Sequence, residues 1–201
     1  AMAILEDDQL AHPPLEVIFT VCEESTFDGA ANISTDLYEG KRIINLDHSV
    51  DNQVLAGSCG GSGINFELPL QWEKAPADGR FYKLYVEGME GGHSGEDIHR
   101  GRGSAIELLI RLIRDEEIHL CSMKAGSYRL AIPRDGCCTV MVKDGQEAYL
   151  EQHVAEMREV FRKEYFAAAP ELNVRLEKAE AEDILAAADK KKVVQLSIIH
   201  I

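Results

Sequence analysis

Two glutamates stand side by side at Glu23 and Glu24, directly after the apolar run Leu15-Glu16-Val17-Ile18-Phe19-Thr20-Val21. Adjacent carboxylates repel each other unless a cation or a shared proton offsets the repulsion. Such a pair can divide labour: one member binds a metal while the other accepts a proton from metal-bound water. Standing alone, a Glu-Glu pair is more often a solvated acidic turn. Asp47 closes a second apolar run, Arg42-Ile43-Ile44-Asn45-Leu46, and by itself reads as a strand-end or capping aspartate, with His48 beside it structural. The third feature is Gly91-Gly92-His93-Ser94-Gly95, followed by Glu96-Asp97-Ile98-His99. Glycines around a histidine let the backbone turn tightly and approach a ligand closely. An imidazole held in that way suits hydrogen bonding to an oxyanion or a carboxylate; the alternative is a glycine turn with a solvent-facing histidine. No GxSxG elbow, P-loop or HExxH occurs. The glycine-rich stretch from Gly57 to Gly63 lacks the Lys-Ser/Thr ending of a phosphate loop, and strand pattern follows it.

These residues need elements to position them. Residues 15–21 and 42–46 are predicted as buried strands, about twenty residues apart, enough for an α/β crossover. Glu23, Glu24 and Asp47 then fall at strand carboxyl ends, where open α/β sheets bind ligands. Residues 63–71 and 81–87 alternate as half-exposed strands do. The stripe Ala105, Leu108, Leu109, Leu112, Ile113 predicts a helix over 104–114, and Leu150, Val154, Met157, Phe161, Tyr165 predict another over 146–166. Asp144-Gly145-Gln146-Glu147 has the form of a capping box at the start of the second. Strands are predicted at 118–123, 137–142 and 172–176. The fold class is α/β: part of a catalytic α/β domain over 1–58, then an α+β module over 59–180 whose antiparallel sheet carries two helices on one face. Residues 181–201 are expected to form a linker helix leading elsewhere, its apolar residues Val193, Val194, Leu196, Ile198 and Ile199 left without partners.

Composition narrows the class. Apolar residues make up 45% and charged residues 28% of 201 residues, ordinary usage for a soluble domain. The formal net charge of −14 argues against a nucleic-acid or anionic-membrane partner. Residues 1–60 hold eleven Asp/Glu against two Lys/Arg, so the acidity is concentrated where the carboxylate candidates lie. No run approaches the ~18 apolar residues of a membrane span, and no secretory signal opens the chain. The five cysteines form no CxxC pair, which suits free, mostly buried thiols in a reducing, cytoplasmic setting. The chain opens on Ala1 inside an amphipathic pattern, and is expected to be an internal piece of a longer polypeptide.

Together the pieces resemble one family. Leu15 to Gly29 (LEVIFTVCEESTFDG), Ile43 to Asp47, the Gly57 to Gly61 turn, Gly88 to Gly103 (GMEGGHSGEDIHRGRG) and Ala131-Ile132-Pro133-Arg134 look like the aminoacyl-histidine (Xaa-His) dipeptidases. That group belongs to the zinc metallopeptidase family that includes carnosinase, peptidase T and carboxypeptidase G. The resemblance implies a zinc-binding α/β catalytic domain interrupted by an α+β lid. It implies that Glu23 is the general base, Glu24 a ligand of one zinc and Asp47 a ligand of the other. His93 matches the lid histidine that holds substrate or oxyanion, and Arg134 a substrate-binding residue. Two zinc ions, or other divalent metals, would serve the whole enzyme, with a small peptide as substrate. Separately from the resemblance, the unpaired edges of the strands at 15–21 and 42–46 invite pairing with a second copy, a homodimer. The family's remaining metal ligands would lie before Ala1 and beyond Ile201, so the chain by itself is expected to be inactive. Leu130 stands where the lid motif carries an asparagine, and Cys22 where an acidic or polar residue is common. A non-catalytic lid, dimerisation or peptide-binding module from a degenerate paralogue is the alternative.

Overall fold

A computed structural model of the chain describes residues 2–48, 50–58, 64–180 and 182–198. It divides into two units, Ala1–Phe66 and Glu67–Ile201. Cys59 and most of the glycine-rich turn, Gly60 to Gly63, lie outside the described residues.

The second unit is built on a four-stranded antiparallel sheet. Its strands are β2 (Gly79–Glu87), β4 (His119–Ala125), β6 (Gly136–Lys143) and β7 (Asn173–Lys178), in the order β4-β6-β2-β7. Alternation explains β2: Tyr82, Leu84 and Val86 turn into the core, while Phe81, Lys83, Tyr85 and Glu87 face the other way. Helices α3 (Ala105–Ile113) and α4 (Glu147–Glu164) cover the core face. Every residue of the predicted α3 stripe is buried, and so are Leu150, Val154 and Phe161 of α4. This is the mixed fold of antiparallel sheet and two helices that the periodicity predicts. On the opposite face Met141, Cys121 and Ile184 form a smaller cluster with Phe81 and Ala75, so β6 is buried from both sides.

Three details differ from the sequence expectation. The capping box at α4 does not form: Gln146 is the N-cap and makes no side-chain cap bond. Its amide group is committed elsewhere, accepting from the Lys143 N–H (3.2 Å) and donating to Glu117 (2.8 Å), while Asp144 takes Arg80 Nε (2.9 Å). The strand expected over 63–71 does not form over its described residues, 64–71; the ladder begins just beyond it with β1 (Trp72–Glu73), which pairs with β8 (Ile184–Leu185). In the closing helix α5 (Ala187–Ile198), Val193 and Val194 are not left without partners, since they pack against the core beside α3, while Ile199 of the same expectation lies outside the described residues. Polar contacts hold it there. Asp189 accepts the Gln71 N–H (2.7 Å), and the buried Lys190 ammonium donates to the carbonyls of Asp115 and Ile118.

The first unit has little regular structure. It contains α1 (Met2–Glu6), α2 (Asp28–Ala31) and a single 3₁₀ turn at Thr35–Leu37. The strands predicted at 15–21 and 42–46 are corrected: among the described residues they join no ladder, and Phe19, Ile43 and Ile44 are 74%, 81% and 82% exposed. A strand is stable only where neighbours take its backbone hydrogen bonds and cover its apolar faces, and a lone pair of strands is marginal in water. A tie across the unit is the Glu16 carboxylate, which accepts the N–H groups of Glu39 and Gly40 (2.6 Å to Gly40).

Stability should therefore be concentrated in the second unit. Hydrogen exchange is expected to be slower over 146–166 than over 15–21 and 42–46, and the reverse order in the monomer would contradict this account. Leu109→Ala should cost about 2–5 kcal/mol in chemical denaturation, as core truncations do, whereas Phe19→Ala should fall within about 0.5 kcal/mol.

Candidate functional site

The Glu23–Glu24 pair sits on a wound turn, closed where the Phe27 N–H donates to the Cys22 carbonyl (2.7 Å). The Gly29 N–H donates to Val21 O (3.1 Å), and Thr26 Oγ1 donates to Asp28 Oδ2 (2.6 Å). Cys22 (φ 57°) and Phe27 (φ 64°) both hold left-handed backbone, bracketing the pair with non-glycine residues in a conformation that costs about 1–2 kcal/mol each. Such backbone persists where the surroundings impose it, often at functional positions. Both carboxylates are exposed, as is Asp47, whose N–H donates to Asn45 Oδ1 (3.4 Å). Among the described residues no three His, Cys, Asp or Glu side chains stand together as a metal ion would need. Glu23, Glu24 and Asp47 do not by themselves fit a zinc centre.

The histidine motif is the more finished structure. β3 (Gly92–His93) pairs with β5 (Ala131–Ile132), with Gly92 opposite Ile132 and His93 opposite Ala131. That ribbon brings His93 and Arg134 onto neighbouring segments, and Arg134 is exposed. Gly91 (φ 69°) and Gly92 (φ 137°) occupy backbone that side chains avoid. At Gly92 a Cβ would also lie 2.1 Å from Arg102 Nη1 and 2.5 Å from Asp97 Oδ2. The Ser94 N–H donates to Leu130 O (2.7 Å), so Leu130 contributes its carbonyl to the turn while its side chain stays exposed.

The imidazole itself is committed on one side. His93 Nδ1 accepts the N–H groups of Gly95 (3.1 Å) and Glu96 (3.2 Å), so the neutral ring carries its proton on Nε2. An exposed Nε2–H is a donor suited to a carboxylate or a developing oxyanion. The residues that sequence reasoning missed are Asp97 and Arg102. Asp97 Oδ2 accepts the His93 N–H (2.8 Å), and Arg102 Nη1 lies 3.2 Å from that oxygen while donating to Gly91 O (2.6 Å). The signal available was an aspartate four residues after the histidine. The His93 hydrogen bond, and then Arg102, Arg100 and His99, hold the Asp97 carboxyl below the ordinary aspartate value of 3.8.

The two buried thiols stand apart from both motifs. Burial pushes Cys121 up to about 12 and raises Cys138 as well, so neither is a nucleophile near neutrality.

No family model matches the chain. It is 33% identical over 168 residues to the cytosol non-specific dipeptidase of Escherichia coli (strain K12), a match covering 82% of this chain and 35% of that relative. Among solved structures it superposes on the aminoacylhistidine dipeptidase of Vibrio alginolyticus with a TM-score of 0.62 and 27% identity. That superposition covers 65% of this chain and 28% of the other. The chain thus spans about a third of the length of the relatives it matches.

Gly92→Ala should open the histidine turn, and the expected result is loss of the His93 and Asp97 amide positions from an otherwise retained nuclear magnetic resonance spectrum. Acid should do the same reversibly. The folded Asp97 value lies below the unfolded one, so its contribution is complete above about 3.8 and is lost as pH falls through the folded value. A His93 amide shift that titrates above the ordinary aspartate range would contradict this.

Proposed function

We propose, for a chain that belongs to the family of the aminoacyl-histidine dipeptidases, that it is part of a longer metal-dependent enzyme that hydrolyses small peptides, Xaa-His dipeptides in particular. The observation that carries this reading is the His93 turn. Its Nε2–H is left as an exposed donor after Nδ1 has been occupied by two backbone amides. Peptide hydrolysis develops negative charge on the former carbonyl oxygen, and a donor fixed before that charge appears costs no reorganisation when it forms. Arg134, on the neighbouring segment, is read as a cation for the peptide's carboxylate.

Glu23 is read as the base that takes a proton from the attacking water, and Glu24 and Asp47 as carboxylate ligands, one to each of two zinc or other divalent ions. The metal, when bound, would acidify water and polarise the scissile carbonyl. The described residues do not complete that centre, so the remaining ligands are assigned to parts of the longer polypeptide. We read 1–58 as a portion of the catalytic domain, 59–180 as the lid and 181–201 as the connection onward. A cytoplasmic setting and a homodimer complete the reading. The first agrees with the relative's description as a cytosol enzyme, and no helix among the described residues is long and apolar enough to cross a membrane.

The 201-residue chain alone should not turn over a His-containing dipeptide with zinc, cobalt or manganese; chelator-sensitive turnover would overturn that expectation. In the longer protein Glu23→Gln should lower turnover by about 10²–10⁴-fold with metal content unchanged, and Glu24→Ala and Asp47→Ala should lower bound metal. Zinc loss in Glu23→Gln but not in Glu24→Ala would reverse the two roles. His93→Ala, removing one oxyanion donor, should cost about 10²–10³-fold in kcat.

A further inference from the structure

A histidine can accept at Nδ1 only while the backbone amides aimed at it stay in place, and in this turn they are held by a clasp. His93 and Asp97 bond reciprocally: the His93 N–H donates to Asp97 Oδ2 (2.8 Å) and the Asp97 N–H donates to the His93 carbonyl (2.9 Å). Gly95 and Glu96, whose amides fill Nδ1, lie between these two bonds. Arg102 locks the clasp from outside. One guanidinium nitrogen meets both Asp97 Oδ2 (3.2 Å) and the Gly91 carbonyl (2.6 Å), and the other meets Glu90 (3.3 Å). Arg100 takes the second Asp97 oxygen at 3.1 Å. The side chains of Asp97 and Arg102 are only 16% and 12% exposed, so this ion pair is screened less than a surface pair would be.

We infer that Asp97, clasped by Arg102, is the positioning residue that holds His93 in its Nε2–H tautomer and keeps that donor available outside the turn. Asp97 touches no reacting atom in this scheme; it acts through the loop. Without its carboxylate the His93 N–H loses its acceptor and Arg102 loses one of its two anionic partners, while the Arg102 bonds to Gly91 and Glu90 survive. The turn then relaxes, the Gly95 and Glu96 amides leave Nδ1, and the ring is free to carry its proton on either nitrogen. The catalytic meaning of this geometry rests on the dipeptidase reading; the tautomer does not.

The test is a long-range proton–nitrogen correlation spectrum of the histidine rings in the 201-residue chain, at a pH where they are neutral, with His93 assigned from His93→Gln. The wild-type ring should give one form, Nε2–H. Asp97→Ala should raise the Nδ1–H form about tenfold, the effect expected from losing two accepted amide hydrogen bonds, and Asp97→Asn, which keeps an oxygen acceptor for the His93 N–H, should restore most of the original form. A wild-type Nδ1–H ring, or an unchanged tautomer in a well-dispersed Asp97→Ala spectrum, overturns the inference. Should Asp97→Ala not fold, Arg102→Gln decides: the same minor form is expected to rise, and an unchanged ring overturns it. Because the spectrum needs neither metal nor substrate, its failure is separate from failure of the dipeptidase reading.

Discussion

Ala105, Leu108, Leu109, Leu112 and Ile113 cannot all leave water unless α3 lies flat on a sheet, and that constraint organises the second unit. The sheet answers with Leu84 and Val86 from β2 and Cys138, Val140 and Val142 from β6. Each fully buried leucine or isoleucine contributes about 1.5–3 kcal/mol relative to exposure, so this contact holds α3 firmly. The consequence for chemistry lies at the start of α3. Its first amide, Ala105 N–H, donates to the Pro133 carbonyl (2.8 Å). Pro133 directly follows β5, the partner of the His93 segment. The core therefore fixes α3, α3 fixes the chain at Pro133, and the ribbon carries that fixity to the histidine.

Charge plays two roles in the second unit. Most ion pairs here are exposed and contribute little in water; Lys74–Asp183 and Arg134–Asp135 are of that kind. Two cations are better placed. Arg102 shares one nitrogen between an aspartate and a backbone carbonyl, so it sets geometry as well as neutralising charge. Burial pulls the Lys190 value down, yet two carbonyls accept its protons, which explains how an ammonium is tolerated beneath α5.

How far the sequence could be read follows from which interactions are local. The α3 and α4 stripes and the strands β2, β4, β6 and β7 were legible because each is amphipathic over a length that its own unit can cover. Residues 15–21 and 42–46 were not, because an apolar run specifies burial without specifying the neighbour that provides it, and the described residues provide none. The α5 contact and the β1·β8 pairing depend on residues more than a hundred positions apart, beyond any periodicity. The glycines marked the turn that carries His93, and the motif at Ala131 to Arg134 marked the segment that pairs with it. Asp97 was not singled out, since a carboxylate bonded to a backbone amide leaves only a position, and no distinctive residue type, in the sequence. The false capping box at Asp144 fails for the opposite reason: the residues are right, but Arg80 and Glu117 compete for them.

The two candidate turns use the same closure and reach opposite chemical states. Phe27 donates back to Cys22, and Asp97 back to His93, each winding a short segment on its own backbone. In the first turn the closure uses main-chain atoms and Thr26, so Glu23 and Glu24 remain exposed and adjacent. Adjacent carboxylates repel each other unless a cation offsets the repulsion, and among the described residues no group of three metal-ligating side chains stands there to hold one. In the second turn the His93 N–H, the His93 carbonyl, Nδ1 and the Asp97 carboxylate find their partners within the loop or in its flanking arginines, and the Nε2–H points outward. A hydrolytic site needs a base that can take a proton and a donor that can meet an oxyanion. On the dipeptidase reading proposed above, His93 is the donor, and its turn is built from this chain's own groups; Glu23 is the base, and the ligands that complete its half are assigned to the longer polypeptide.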